Sequence, residues 1–398
     1  MNPAALRGRL AQLAAQHLQR RRRTVLDHGE GATVVVDGQR LINFCGNDYL
    51  GLNAHPALAA ALARSAAAAG AGSGASHLVS GHGLEHERLE EDLAQFTGRE
   101  RALLFSTGYM ANLAAVTCLA ARSSRIVMDR LSHASLIDAA RLSGAKLKRF
   151  AHGDVAAAAA ALGGKPAAGT TLLVTDGVFS MDGDLAPLPQ LSQAATAAGA
   201  TLIVDDAHGL GVMGATGRGC LEHFKLDAAA VPILVGTLGK AFGCFGAFIA
   251  ADADYIEWLV QTARSYRYTT ALPPPVAAAA RAALIIAATE SWRRERVLAL
   301  ATRLHRGCAQ AGIAVLPSPS PIQPVVLGDA QRALAVSERL LAAGFWVAAI
   351  RPPTVPKGAA RLRITLCAAH DEQQVDALID ALAAALRELP QQAPHAAA

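Results

Sequence analysis

The sequence predicts an α/β fold, with a large domain on a mostly parallel, doubly wound sheet and a smaller C-terminal α/β domain. Three observations predict it. Between about residues 100 and 250, short β-rich runs alternate with helical segments: RALLFS, RIVMD, TLLVTDG, TLIVDDAHG, PILVGTLG and GAFIAAD. Several of these runs are apolar nearly throughout, as strands buried on both faces of a parallel sheet must be. The chain has 398 residues, 52% hydrophobic and 17% charged, which suits a core-forming protein of more than one domain.

Taken in order, residues 4–23 read as a basic amphipathic helix. VVVDGQRLINF follows, with Asp37–Gly38 as a two-residue hairpin turn. Leu84, Leu89, Leu93 and Phe96 recur at helical spacing over 84–97, and Gly98 stops that element. Segments such as 134–143 and 190–199 serve as crossover helices between the β-rich runs. Pro273, Pro274 and Pro275 end the alternation, and one long helix is expected over about 276–311. Residues 312–389 alternate strands and helices again. Their last helix carries Val375, Leu378, Ile379, Leu382 and Leu386 at regular spacing. The tail QQAPHAAA is expected to be disordered.

Composition excludes several classes. The net charge is only +5. The basic run Arg20–Arg23 reads as a solvated helix end or as a site for an anionic small substrate. No aromatic–basic interleaving accompanies it, so nucleic acid is not expected. The six cysteines are scattered without a CxxC pair, which suggests neither a disulfide framework nor a zinc site. No apolar leader or membrane-length stretch is found, and the expected location is the cytoplasm.

The chemistry begins at Lys240, the only charged residue between Asp227 and Asp252, in a strand-like, glycine-rich neighbourhood. Desolvation there would favour the neutral amine, which Schiff-base formation requires. The plainer alternative is a lysine reaching solvent from a strand end. In TLIVDDAHG, Asp205 and Asp206 close an apolar strand and His208 follows. A buried carboxylate at a strand end could keep a pyridinium nitrogen protonated, or could simply cap a loop. FSTGYMAN, residues 105–112, places Gly108 at a strand-to-helix turn where backbone N–H groups could meet a phosphate. Asp129, Asp176, Asp205, His208, Thr237 and Lys240 all fall at strand ends, where open α/β sheets bind ligands.

Two formal motifs are set aside. GLGVMG, residues 209–214, matches G-x-G-x-x-G, but it sits late in the sheet and no helix opens from it. HGLEH, residues 82–86, matches H-x-x-E-H. His82 lies between Gly81 and Gly83, ahead of the helix, so no metal site is expected.

DRLSHAS, DGVFSMDGD, VDDAHG, TLGKAFG and RPPTVPKGAARLRIT stand in the order and spacing of the pyridoxal-phosphate α-oxoamine synthases. The resemblance runs from about residue 20 to 388. It implies the fold type I aminotransferase architecture, divided here as an N-terminal helix and hairpin (1–45), a cofactor-binding domain (46–285) and a small domain (286–398). It implies pyridoxal 5'-phosphate joined to Lys240, which also transfers protons. Asp205 would pair with the pyridine nitrogen, and His208 would bond the ring hydroxyl. His133 would stack on the ring and contact substrate. Gly108 and Tyr109 would line the cofactor, and Ser180 and Thr237 would bond it. Thr269 and Thr270 would reach the phosphate of a second subunit, so a homodimer with shared sites is implied. Arg363, with Asn47, would hold an amino acid carboxylate, and Arg21 and Thr354 would contact the acyl substrate.

The implied reaction is decarboxylative condensation of an amino acid with an acyl thioester. Within the family, NDYLGL, SPIQPVVLGD and RPPTVP point to L-alanine and a pimeloyl thioester, in biotin biosynthesis. Two other readings stay open. One is a glycine C-acetyltransferase-like enzyme using glycine and a short acyl-CoA. The other is a non-catalytic regulatory or scaffolding subunit on the same fold.

Overall fold

A computed structural model describes residues 2–28, 31–163 and 169–389. In chain order its strands are β1 Val25–His28, β2 Thr33–Val36, β3 Gln39–Asn43, β4 Arg101–Phe105, β5 Arg125–Asp129, β6 Lys146–Phe150 and β7 Thr171–Asp176. They continue with β8 Thr201–Asp205, β9 Ile233–Thr237, β10 Ala247–Ala251, β11 Ile322–Gly328, β12 Phe345–Trp346, β13 Ala348–Ile350 and β14 Ala360–Thr365. The chain divides into two compact units. One comprises 48–180 and 184–294; the other comprises 1–47, 181–183 and 295–398.

The first unit is built on a seven-stranded sheet in the order β4-β10-β9-β8-β7-β5-β6. β5 to β9 run parallel, whereas β10 is antiparallel to both of its neighbours. Every residue of β5, β7 and β10 is buried, which is why those segments read as unbroken apolar runs. β6, KLKRF, has no such run. It is one of the two edge strands, β4 being the other, and its lysines and arginine are what an unpaired edge tolerates. The strand order reverses between β5 and β7, so the carboxyl ends there flank a crevice. Helices Gly108–Thr117 and Ala134–Ser143 pack on the sheet through Ala111, Ala114, Ala115, Leu136, Ala139 and Ala140.

The second unit holds two small sheets. β1-β2-β3-β12 forms one, with β12 parallel to β3, and β11-β14-β13 forms an antiparallel second. Asp37 (φ 51°) and Gly38 (φ 82°) make the expected hairpin turn between β2 and β3; both left-handed values belong to a type I′ turn. The last helix, Glu372–Glu388, opens with a capping box between Asp371 and Gln374. It buries Val375, Leu378, Ile379 and Leu382.

Several expectations need correction. The first helix spans Pro3–Ala15, not 4–23. His17 adopts φ 56°, and the Leu18 N–H reaches back to the Leu13 carbonyl at 2.8 Å, a left-handed stop that leaves Arg20–Arg23 outside the helix. The long helix over 276–311 is two helices, Pro274–Thr289 and Trp292–Gln310. The buried Arg294 guanidinium turns back onto the Ala287 carbonyl and satisfies the end of the first. The crossover helix read at 190–199 spans Leu188–Ala197, while those over 84–97 and 134–143 fall where expected. The segment QQAPHAAA lies outside the described residues.

Candidate active site

At the carboxyl ends of β7, β8 and β9 lies a cavity of about 190 Å3, lined by Gly108, Tyr109, Asn112, His133, Asp176, Asp205, Ala207, His208, Thr237 and Lys240. Eight of the residues named from sequence therefore meet in one place: Gly108, Tyr109, His133, Asp176, Asp205, His208, Thr237 and Lys240. Lys240 sits in the turn after β9, where its carbonyl accepts from Gly243 N–H at 2.8 Å. Asp205 ends β8. Its Oδ1 accepts from Ala207 N–H at 3.0 Å and its Oδ2 from Asn112 Nδ2 at 2.6 Å. The carboxylate thus caps the loop and faces the cavity at once. His208 Nδ1 and the buried Tyr49 hydroxyl share a 2.7 Å hydrogen bond. Thr237 Oγ1 donates to the Gly246 carbonyl at 3.1 Å.

His133 caps the N-terminus of helix Ala134–Ser143, and its backbone N–H donates to Asp176 Oδ2 at 3.0 Å. Desolvation holds its imidazole below the ordinary value. Asp205 opposes that shift and Lys240 adds to it. Asp176 is buried beside Asp205, and burial followed by the neighbouring carboxylate raises it well above the carboxylate range. Three carboxyl groups, Asp176, Asp205 and Asp206, therefore crowd the ends of β7 and β8 with one lysine among them.

Asp129, also at a strand end, serves differently. It is buried beneath the loop that presents His133, accepting from Leu131 N–H at 2.7 Å and Gly153 N–H at 2.9 Å. His152 bridges Asp129 (3.1 Å) to Asp184 (2.8 Å) with Phe179 edge-on against its ring. Although burial lowers it, the two carboxylates dominate and push His152 up to about 10. This imidazolium ties the His133 loop to the turn that carries Ser180.

The first glycine of GLGVMG, Gly209, has a packing role, shared with Gly219 beyond the run. Asp206 is fully buried, and a Cβ on Gly209 or Gly219 would lie 2.0 Å from one of its carboxyl oxygens. The run packs backbone against a buried acid.

A family model for class I and II aminotransferases matches residues 39–382. The chain belongs to the class I and II aminotransferase family. Among members of this family, it is 54% identical over 391 residues to the 8-amino-7-oxononanoate synthase of Stutzerimonas stutzeri, covering 98% of this chain and 99% of the relative. It is 55% identical over 382 residues to the protein of the same name from Thioalkalivibrio sulfidiphilus, covering 96% and 97%. Among solved structures, a serine palmitoyltransferase of S. paucimobilis carrying pyridoxal phosphate joined to myriocin superposes with a TM-score of 0.92. It is 31% identical and 97% of each chain is covered. The α-oxoamine synthase resemblance and the fold type I architecture read from the motifs both stand.

The remaining named residues are not among those lining this cavity. Ser180 follows Phe179 in the turn after β7. Thr269 and Thr270 lie on an irregular segment fastened to residues 73–86. There Ala271 N–H donates to the Ala75 carbonyl at 2.9 Å, Ser73 Oγ donates to the Leu272 carbonyl at 2.7 Å, and His86 Nε2 reaches the same carbonyl. In the other unit, Arg363 is no surface arginine. It is buried in the middle of β14, and its guanidinium donates to Asn47 Oδ1 at 3.2 Å. Arg20, next to Arg21, donates to Thr354 Oγ1 at 3.2 Å. A wider groove of about 710 Å3 between helices Trp292–Gln310 and Glu372–Glu388 is lined by arginines and acids. Arg303 there pairs with Glu372 and Asp376, so it is a solvated ion-pair face.

Sequence reasoning missed Asn112, Ser135 and Tyr49. Asn112 stands one helical turn after Gly108 and so shares its face. It is the polar residue among the alanines of that helix, and this was the available signal. Tyr49 carries none, being 159 residues from His208.

Proposed function

We propose that the protein performs the reaction its relatives' name describes: pyridoxal-phosphate-dependent condensation of L-alanine with a pimeloyl thioester, releasing carbon dioxide and the thiol. The observation that carries this reading is the single cavity in which Lys240, Asp205, His133 and a helix N-terminus meet. Identity of 54% to a named synthase along almost the whole chain supports the choice of substrates.

The cavity suits the cofactor. Asp205 offers a buried carboxylate for a protonated ring nitrogen. The first N–H groups of helix Gly108–Thr117 have no intrahelical partner and suit a phosphate. A Cβ on Gly108 would meet nothing within 4 Å, so the space before that helix is open. When bound, the cofactor supplies an electron sink for the carbanion at the amino acid's α-carbon.

The chain's own residues do the rest. Asp205 and His208 hold the ring, with Tyr49 behind His208. Gly108, Tyr109 and Thr237 hold the phosphate end, and Ser180 adds a further bond. Lys240 Nζ takes the α-proton and later returns one. His133 polarises the thioester carbonyl. Arg363 and Asn47 fix the amino acid carboxylate, which orients the bond to be broken. Arg21 and Thr354 contact the acyl chain.

A cytoplasmic homodimer completes the proposal. Thr269 and Thr270 of one copy would complete the phosphate site of the other. The exposed Leu78, Val79 and Tyr268 around that segment form an apolar face suited to a second copy. Among the described residues no helix is long and apolar enough to cross a membrane.

The test compares alanine plus pimeloyl-CoA with glycine plus acetyl-CoA on the purified protein. The alanine pair should turn over faster, and Lys240→Ala should abolish both the turnover and the visible absorbance of the bound cofactor. Faster turnover of the glycine pair would refute the substrate assignment. A protein that takes up no added pyridoxal phosphate would be the scaffolding subunit instead.

A further inference from the structure

We infer that Asn112 and Ser135 form a hydrogen-bonded relay from Asp205 to His133, and that this relay fixes His133 as a neutral imidazole presenting its Nε2–H to the cavity. The chain of contacts is continuous. Asn112 Nδ2 donates to Asp205 Oδ2 at 2.6 Å and to Ser135 Oγ at 2.8 Å. Ser135 Oγ lies 2.7 Å from His133 Nδ1, and the Ser135 backbone N–H points at the same nitrogen at 3.3 Å. Asn112 and Ser135 are both buried.

Proton counting gives the direction. Asp205 Oδ1 already accepts from Ala207 N–H, and the Asn112 atom facing Oδ2 is the amide nitrogen, which can only donate. That nitrogen has two hydrogens, and the second goes to Ser135 Oγ. The serine oxygen therefore accepts from Asn112 and turns its own hydrogen toward His133 Nδ1. The backbone N–H of Ser135 can only donate, so Nδ1 must be an acceptor and the imidazole proton sits on Nε2. The groups facing His133 are Asp176, through the backbone N–H, together with Asp205 and Lys240.

The consequence rests on the proposed function. A His133 in this tautomer donates a hydrogen bond to the thioester oxygen and has no free basic nitrogen in the cavity. Proton abstraction then falls to Lys240 alone. Asn112 and Ser135 are positioning residues, since they act through His133 and Asp205.

The relay is tested on the holoenzyme with 15N-labelled histidine, using His133→Gln to assign the signal. Near pH 7.5, His133 should show an unprotonated Nδ1 and a protonated Nε2. Ser135→Ala should mix the tautomers while keeping the cofactor absorbance. It should also lower kcat about tenfold, the effect of one lost hydrogen bond, with KM for alanine little changed. The acid limb of its pH profile should move to higher pH, because the neutral ring loses a donor at Nδ1. Should Ser135→Ala fold poorly, Asn112→Ala breaks the relay one bond earlier and should shift the same signal. A protonated Nδ1 in the wild-type protein, or an unchanged tautomer and pH profile in both variants, overturns the relay. A wild-type protein with this tautomer that turns over neither substrate pair supports the relay and removes the function reading, so the two failures are distinguishable.

Discussion

Replacing Asp206 by Asn should make the protein more stable in alkali relative to acid. Asp206 is fully buried at the end of β8, enclosed by the backbones of Gly177, Gly209 and Gly219. Its Oδ2 accepts from the Cys220 N–H at 2.6 Å, while Oδ1 is buried without a hydrogen-bond partner among the described residues. Burial raises the carboxyl from 3.8 to about 7, although the Cys220 hydrogen bonds pull the other way. The folded state thus holds a proton that the unfolded chain releases above pH 4. A raised carboxyl value favours folding at low pH, and that advantage is lost as the pH rises through about 7. Integrated between pH 5 and pH 8, the wild type loses about 2–3 kcal/mol from this one group. The amide mimics the protonated acid in shape and does not titrate. Urea unfolding of both proteins at the two pH values reads the difference: the stability of Asp206→Asn relative to wild type should rise by about that amount from pH 5 to pH 8. Parallel pH dependence in the two proteins would show that the buried carboxyl is not protonated in the folded state.

Three further outcomes are expected. His152 is raised from 6.5 to about 10, so its ion pairs contribute fully below pH 6.5 and fade as the pH climbs through 10. His152→Gln should cost roughly 2–4 kcal/mol at neutral pH by the loss of two charge-assisted hydrogen bonds, and little at pH 11, as read by thermal melts. Gly243→Ala should destabilise the Lys240 turn. Gly243 has φ +59°, and the added Cβ would sit 2.4 Å from the Asn53 backbone nitrogen; about 2–4 kcal/mol is expected from strain and overlap together, measured by urea unfolding. Arg363→Lys should raise KM for the amino acid by roughly tenfold or more while leaving the cofactor absorbance intact, because an ammonium cannot replace the planar fork.

The sheet strands were legible because burial on both faces demands apolar side chains. RIVMD, TLLVTD and TLIVD could not be much else. β6 was not legible, since the lysines and arginine of KLKRF leave no apolar run, whereas β4 at the other edge keeps one in ALLF. The antiparallel setting of β10 was hidden for another reason: GAFIAA is apolar whichever way it runs. The helix break after Thr289 depends on where the Arg294 guanidinium goes, and no local signal records that.

The same division holds at the site. Lys240, Asp205, His208 and Gly108 could be named from sequence because each stands at a strand end or strand-to-helix turn, and their order matches known motifs. By itself the sequence determined the family and the cofactor chemistry. Only the tertiary structure decided which atoms meet. It put Asn112 between Asp205 and Ser135, set Tyr49 on His208, closed three glycines around Asp206 and buried Arg363 against Asn47. Apart from Gly209, which follows Asp206 in the same loop, each of these is a contact between segments distant along the chain. Periodicity and spacing report a residue's local neighbours, whereas hydrogen-bond partners and burial are set by the packing of the whole fold.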